Sequence, residues 1–134
     1  MLSRMAARPA RLIVVLAAAS LLVRPVIASA HASLVRATIR PGQVFARTAY
    51  PRVLTAVFAE NVDPKGSFIH VFEADPRGDH ALADRDNVAF PFKNPKEMTV
   101  GLPTGLRGTY TVLWYTVSAD DGHKAGSTFT FTIR

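Results

Sequence analysis

Side chains able to hold a metal or move a proton are few in this chain. It has no cysteine, four histidines (His31, His70, His80 and His123) and ten Asp+Glu. The densest group is Ser118-Ala119-Asp120-Asp121-Gly122-His123-Lys124-Ala125-Gly126, with two carboxylates, a histidine and two glycines. In an extended stretch, residues two apart point the same way, so Asp121 and His123 can converge on one point. Gly122 between them lets the backbone bend without a side-chain clash. An ordinary Asp-Gly hairpin turn with a solvated histidine accounts for the same spacing equally well.

His31 gains a second donor if the chain is cut just before it. Arg4, Arg8 and Arg11 form a positive segment, Leu12 to Val23 is an uncharged apolar run, and Ala28-Ser29-Ala30 supplies small residues at the −3 and −1 positions. These are the three parts of a signal peptide in order, so residues 1–30 are expected to be removed after Ala30. A membrane span needs about twenty apolar residues, and this run is shorter. Arg24 and Pro25 are untypical of a cleavage region and leave an uncleaved anchor as the alternative. No twin-arginine pattern is present, so the general secretory route is expected. Cleavage frees an α-amine that titrates near pH ~7.7, next to the imidazole of the same residue. Amine nitrogen and Nδ1 can then close a chelate ring on one ion. An internal histidine cannot, because its backbone nitrogen is an amide. By itself, a histidine after a cleavage site is an arbitrary residue.

Composition removes several other chemistries. Without cysteine there is no disulfide framework, thiol catalyst, Cys-ligated zinc or thiolate-bound copper. The net charge of +6 suggests nucleic acid, but the four arginines of residues 1–30 account for most of it. Residues 31–134 keep 12 basic residues against 10 acidic, a net of +2. A basic-patch reading does not survive that. The length of 134 residues bounds the chain to one domain after the signal peptide, residues 31–134.

The elements that must position these residues read as strands. Ser127 to Ile133 alternates, with Phe129, Phe131 and Ile133 on one face and threonines on the other. Thr109 to Val117 is apolar on both faces and is expected at the centre of its sheet, with Trp114 as a core anchor. Leu34–Ile39, Arg52–Phe58, Ser67–Glu73, Asn87–Phe92 and Glu97–Leu102 are further strands. Turn signals separate them: Arg40-Pro41-Gly42, Asp63-Pro64-Lys65-Gly66, Asp75-Pro76-Arg77-Gly78, Pro103-Thr104-Gly105 and Asp121-Gly122. Short strands punctuated this way predict an all-β, antiparallel two-sheet Greek-key sandwich. Asp75 to Asp86 is expected to be a solvated connection.

Two imidazoles, an amine and a carboxylate make a nitrogen-rich set that suits copper(II) and its tetragonal preference. Zinc can use the same atoms. The order of motifs is also recognisable. His31-Ala32 follows the cleavage site, then come Pro41-x-x-Val44, Phe58-Ala59-Glu60-Asn61-Val62 and Gly108-Thr109-Tyr110-x-Val112-x-Trp114. Ser118-x-x-Asp121-Gly122-His123-x-x-Gly126 and a closing Phe-x-Phe strand complete the series. Together they resemble the CopC family of periplasmic copper-binding proteins over essentially all of 31–134.

The resemblance implies a small cupredoxin-like β-sandwich, a non-catalytic role in copper homeostasis and a copper(II) site. Its ligands would be His31 (amine and imidazole), Asp121 and His123, with Glu60 as a weak or outer ligand. It also implies a periplasmic monomer and, as a partner, an inner-membrane copper transporter. One departure matters. Members with a copper(I) site use a Met-rich loop with a histidine, and the matching region, Glu73 to Asp86, has no methionine. Met98 is the one methionine after the signal peptide. Soft thioethers hold copper(I), so that site is expected to be missing. His80 is then read as solvated, and His70, within a strand, as a hydrogen-bonded structural residue. Lys124 stands where a proline often follows the loop histidine.

Two other function classes fit some of these features. A terminal histidine with a second one resembles the histidine brace of copper polysaccharide monooxygenases, which need a broader substrate platform and an open copper position. A metal-free Ig-like interaction module is the third reading. It implies an exposed apolar patch and no stoichiometric metal.

Overall fold

Period-two alternation governs the longer strands of both sheets, which bury one face more than the other. The computed structural model describes residues 33–74 and 80–134. In chain order the strands are β1 (Leu34–Ala37), β2 (Val44–Phe45), β3 (Val53–Phe58), β4 (Phe68–Glu73), β5 (Glu97–Gly101), β6 (Gly108–Val117) and β7 (Lys124–Ile133). No helix occurs among the described residues. One sheet runs β1-β3-β5 and the other β2-β7-β6-β4.

The inner faces meet in one apolar core. Leu54, Ala56 and Phe58 of β3 and Met98 and Val100 of β5 face Ile69 and Val71 of β4, with Tyr110, Val112 and Trp114 of β6 and Phe131 and Ile133 of β7. The Phe58 and Trp114 rings join the two sheets at a centroid distance of 5.3 Å. Burying a large apolar side chain contributes about 1.5–3 kcal/mol, so this core can support charged, irregular loops at its ends. Two tyrosines fasten the loops at the far end. Tyr50 Oη donates to the Pro103 carbonyl at 2.7 Å, and Tyr110 Oη donates to the Arg107 carbonyl at 3.0 Å.

The all-β sandwich expected from the sequence is present, and β6 is indeed an interior strand with Trp114 in the core. Three local expectations are corrected. Strand β2 was not anticipated, and it pairs with β7 in parallel, so the sandwich is not wholly antiparallel. Asn87–Phe92 forms only an isolated bridge, Ala89 to Thr99, because its residues bond to β5 at one point before Pro91 turns the chain. The connection ending at Asp86 is not simply solvated. Residues 81–83 return alongside β4 through Glu73 N–H to Ala81 O (2.9 Å) and Ala83 N–H to Val71 O (2.7 Å), and Ala83 is buried. The Asp75-Pro76-Arg77-Gly78 turn signal lies outside the described residues.

Candidate metal centre

Strands β6 and β7 form a long hairpin whose last pair is Val117 with Lys124, leaving residues 118–123 as the loop. Ser118 N–H donates to the His123 carbonyl at 2.7 Å, and Gly122 N–H donates to the Ser118 carbonyl at 2.9 Å. Gly122 has φ +73°, the left-handed region that a side chain makes costly. Asp121 therefore sits in a turn: of the two readings of the spacing, the Asp-Gly turn is the one present, and the extended one is not. What relates them is a hydrogen bond: Asp121 Oδ1 accepts the His123 backbone N–H at 2.9 Å. Gly126 is tightly packed by its neighbours. A Cβ there would stand 3.1 Å from the Trp114 carbonyl oxygen and 3.1 Å from the Tyr115 ring.

Asp121 and His123 are both exposed. The His123 backbone N–H, and after it the Ser118 hydroxyl, hold the Asp121 carboxyl below its ordinary value of 3.8. The carboxylate is thus charged at neutral pH, the state a metal ligand needs. Beside it, Asp120 Oδ1 accepts from Asn61 Nδ2 at 3.3 Å.

Residues 59–62 cross from β3 to the other sheet directly under this loop. Ala119 N–H donates to the Asn61 carbonyl at 2.9 Å, and Val62 bridges Ser118. Ala59 N–H donates to the Ser33 carbonyl at 3.0 Å. Glu60 stands between these two anchors and is half-buried. Its Oε2 is the one buried side-chain oxygen among the described residues that has no hydrogen-bond partner. An unpartnered buried acceptor is costly, and a cation is a natural partner for it. Lys96 Nζ donates to the Ala59 carbonyl at 3.0 Å and makes no hydrogen bond to Glu60 Oε2.

Of the expected ligands, Glu60, Asp121 and His123 thus lie on two segments stitched together at one end of the sandwich. Their ligand atoms do not form a group of three within 4.8 Å of one another. His31, and the signal peptide before it, lie outside the described residues. Met98 is fully buried in the core, where its thioether is no ligand for an ion from solvent. His80 is exposed, as expected. His70 is a hydrogen-bonded strand residue, as expected, but its partner was not foreseen: Nδ1 lies 3.2 Å from Asp84 Oδ2. With Asp86 these two make a group whose ligand atoms all lie within 4.8 Å. The signal that could have found it is Asp84-x-Asp86 after the return alongside β4.

A family model described as the CopC domain matches residues 34–134. Among solved structures, CopC from Methylosinus trichosporium OB3b is 26% identical, with 77% of this chain and 93% of that chain covered and a TM-score of 0.63. PcoC, a methionine-rich copper resistance protein from Escherichia coli, is 28% identical over 78% of this chain and 100% of that one, with a TM-score of 0.62. Its selenomethionine form is 25% identical over 76% and 99%, with a TM-score of 0.61. A comparison with curated proteins gives no match.

Proposed function

The chain belongs to the CopC family, and we propose that it is a non-catalytic, periplasmic carrier or buffer of copper(II). Residues 1–30 are its signal peptide, and residues 31–134 the monomeric domain that holds the ion. The ligands are the amine and imidazole of His31, the imidazole of His123 and the carboxylate of Asp121, with Glu60 as an outer ligand. Three nitrogens and one anionic oxygen match the tetragonal preference of copper(II). An inner-membrane copper transporter is the receiving partner.

One observation carries the ligand assignment. Ser33 and Ala119 are bonded to Ala59 and Asn61, the two neighbours of Glu60. His31 is two residues from Ser33, a span of at most ~7 Å. The new terminus is therefore within reach of the 118–123 loop and of the unpartnered Glu60 oxygen. Copper as the cargo is supported by the similarity to PcoC, a copper resistance protein.

The test is copper(II) affinity of the processed protein against a His31→Ala form, by competition with a chromophoric chelator. Loss of ~100-fold or more is expected, because the imidazole leaves and the chelate ring opens. Unchanged affinity would remove His31 from the site.

A further inference from the structure

We propose that His70, Asp84 and Asp86 form a second divalent-cation site, able to hold zinc(II)-like ions and independent of the copper(II) loop. The alternation of β4 buries Ile69 and Val71 and puts His70 on the outer face of its sheet, between Phe68 and Phe72. The returning chain then brings the carboxylates to it. After Ala83 N–H bonds to Val71 O, Asp84 Oδ2 takes the Val71 N–H at 2.7 Å, so a side chain replaces the next rung of the ladder. Asp84 Oδ1 accepts the Asp86 N–H at 2.7 Å, which folds Asp86 back toward the pair. The loop is fixed from the other side as well. Arg85 N–H donates to Gly101 O at 2.9 Å, and Asn87 Oδ1 accepts Gly101 N–H at 2.8 Å.

Charge and geometry both call for a cation. The Asp84 side chain is fully buried and that of His70 only 23% exposed. Among the described residues no lysine or arginine pairs with Asp84 or Asp86; the His70 imidazole is the one charged partner of Asp84, and the Asp86 carboxylate has no ion pair. A buried carboxylate is costly unless its charge is partnered. Zinc bonds of about 2.0–2.2 Å to nitrogen and oxygen set ligand atoms roughly 3.3 Å apart in a tetrahedron. The His70 Nδ1 to Asp84 Oδ2 distance of 3.2 Å is that spacing. Asp86, exposed at the loop surface, closes the third corner by a small side-chain movement, and water takes the fourth. One imidazole with two carboxylates is a borderline-to-hard donor set that zinc(II) accepts. His70 pairs with Leu113, five residues from Ser118 along β6, which is roughly 16 Å. One ion cannot serve both places.

The test is a zinc(II) titration of protein carrying His31→Ala, Asp121→Ala and His123→Ala, so that neither the imidazoles nor the Asp121 carboxylate of the copper site contribute. Binding is read by calorimetry and by the His70 ring resonances in NMR. One zinc equivalent is expected to bind and shift the His70 ring signals. Asp86→Asn, at an exposed position, is expected to weaken binding ~10-fold or more without changing the urea midpoint of the metal-free protein. His70 signals unmoved by millimolar zinc, or full affinity in the Asp86→Asn form, would overturn the site and leave the three residues as a loop clasp. Neither result bears on copper(II) binding at His31 and His123, which is measured in the unsubstituted protein.

Discussion

The Ala119 amide is bonded to the Asn61 carbonyl at 2.9 Å, and with the Asn61–Asp120 side-chain bond and the Val62–Ser118 bridge it ties the Asp121–His123 turn to the crossover that carries Glu60. The crossover also receives the start of β1 through Ala59 and Ser33. Three chain segments far apart in sequence are therefore held at one end of a rigid sandwich. A metal carrier needs that arrangement: donors on separate segments, each fixed by backbone bonds instead of by the ion.

Glu60 should matter less than His123 to copper(II) binding and in the opposite sense to metal-free stability. Its Oε2 is buried without a partner, a cost of about 1–3 kcal/mol that Glu60→Ala removes. That gain offsets the packing lost with the Cγ methylene. Metal-free Glu60→Ala protein is expected to be no less stable than the unsubstituted form in urea, with a modest loss of copper(II) affinity. An affinity loss as large as that of His123→Ala would make Glu60 a principal ligand.

Acid release of copper(II) should follow the nitrogens and not Asp121. The Asp121 carboxyl is held low by the His123 N–H and the Ser118 hydroxyl. A depressed carboxyl keeps its contribution above the unfolded value and loses it only as pH falls through the lower folded value. Nitrogen donors must be free of their proton to bind the ion, and they take it back at higher pH than a carboxylate does. Affinity is expected to fall as pH drops from roughly 8 to 5. Asp121→Asn should lower affinity throughout without displacing that limb. Competition titrations across pH check this, and a limb that moves with Asp121→Asn would assign it to the carboxyl.

Gly122→Ala should strain the loop without a clash. The residue has φ +73° and an added Cβ would meet nothing within 4 Å, so only the backbone conformation is penalised. A stability loss of about 1 kcal/mol is expected, with weaker copper(II) binding as the turn relaxes. Urea unfolding and a copper titration on the same sample read both.

Copper(I) should bind far more weakly than copper(II). Met98, the one thioether after residue 30, is fully buried, and the described part of the 73–86 region offers His80 alone as an exposed imidazole. Competition with a copper(I)-specific chelator is expected to strip the ion completely. Retention of copper(I) through Met98→Leu substitution would show that other donors hold it.

What the sequence revealed follows the range of the interactions. The alternation of Phe129, Phe131 and Ile133 and the run around Trp114 announced β7 and β6, because a strand that buries one face must write that face into its own residues. Val44–Phe45 is too short to show a period, and its parallel partners are Thr132 and Ile133 at the far end of the chain, so nothing local marks it. Asp84 was hidden for a related reason: its turn-like surroundings suggest solvent, while its side chain is buried against β4. At the candidate site, Asp121, Gly122 and His123 stood out by residue type and spacing. The turn joining them is local and was one of the two readings of Asp121-Gly122, whereas the unpartnered oxygen of Glu60 comes from tertiary packing that spacing does not encode.

The most direct test is electron paramagnetic resonance of the processed protein loaded with one equivalent of copper(II), beside a form carrying one extra alanine before His31. The expected spectrum is tetragonal with three nitrogen ligands, changed and accompanied by a large affinity loss when the alanine blocks the terminal chelate. Identical spectra and equal affinities for the two forms would contradict a site built on the freed amine.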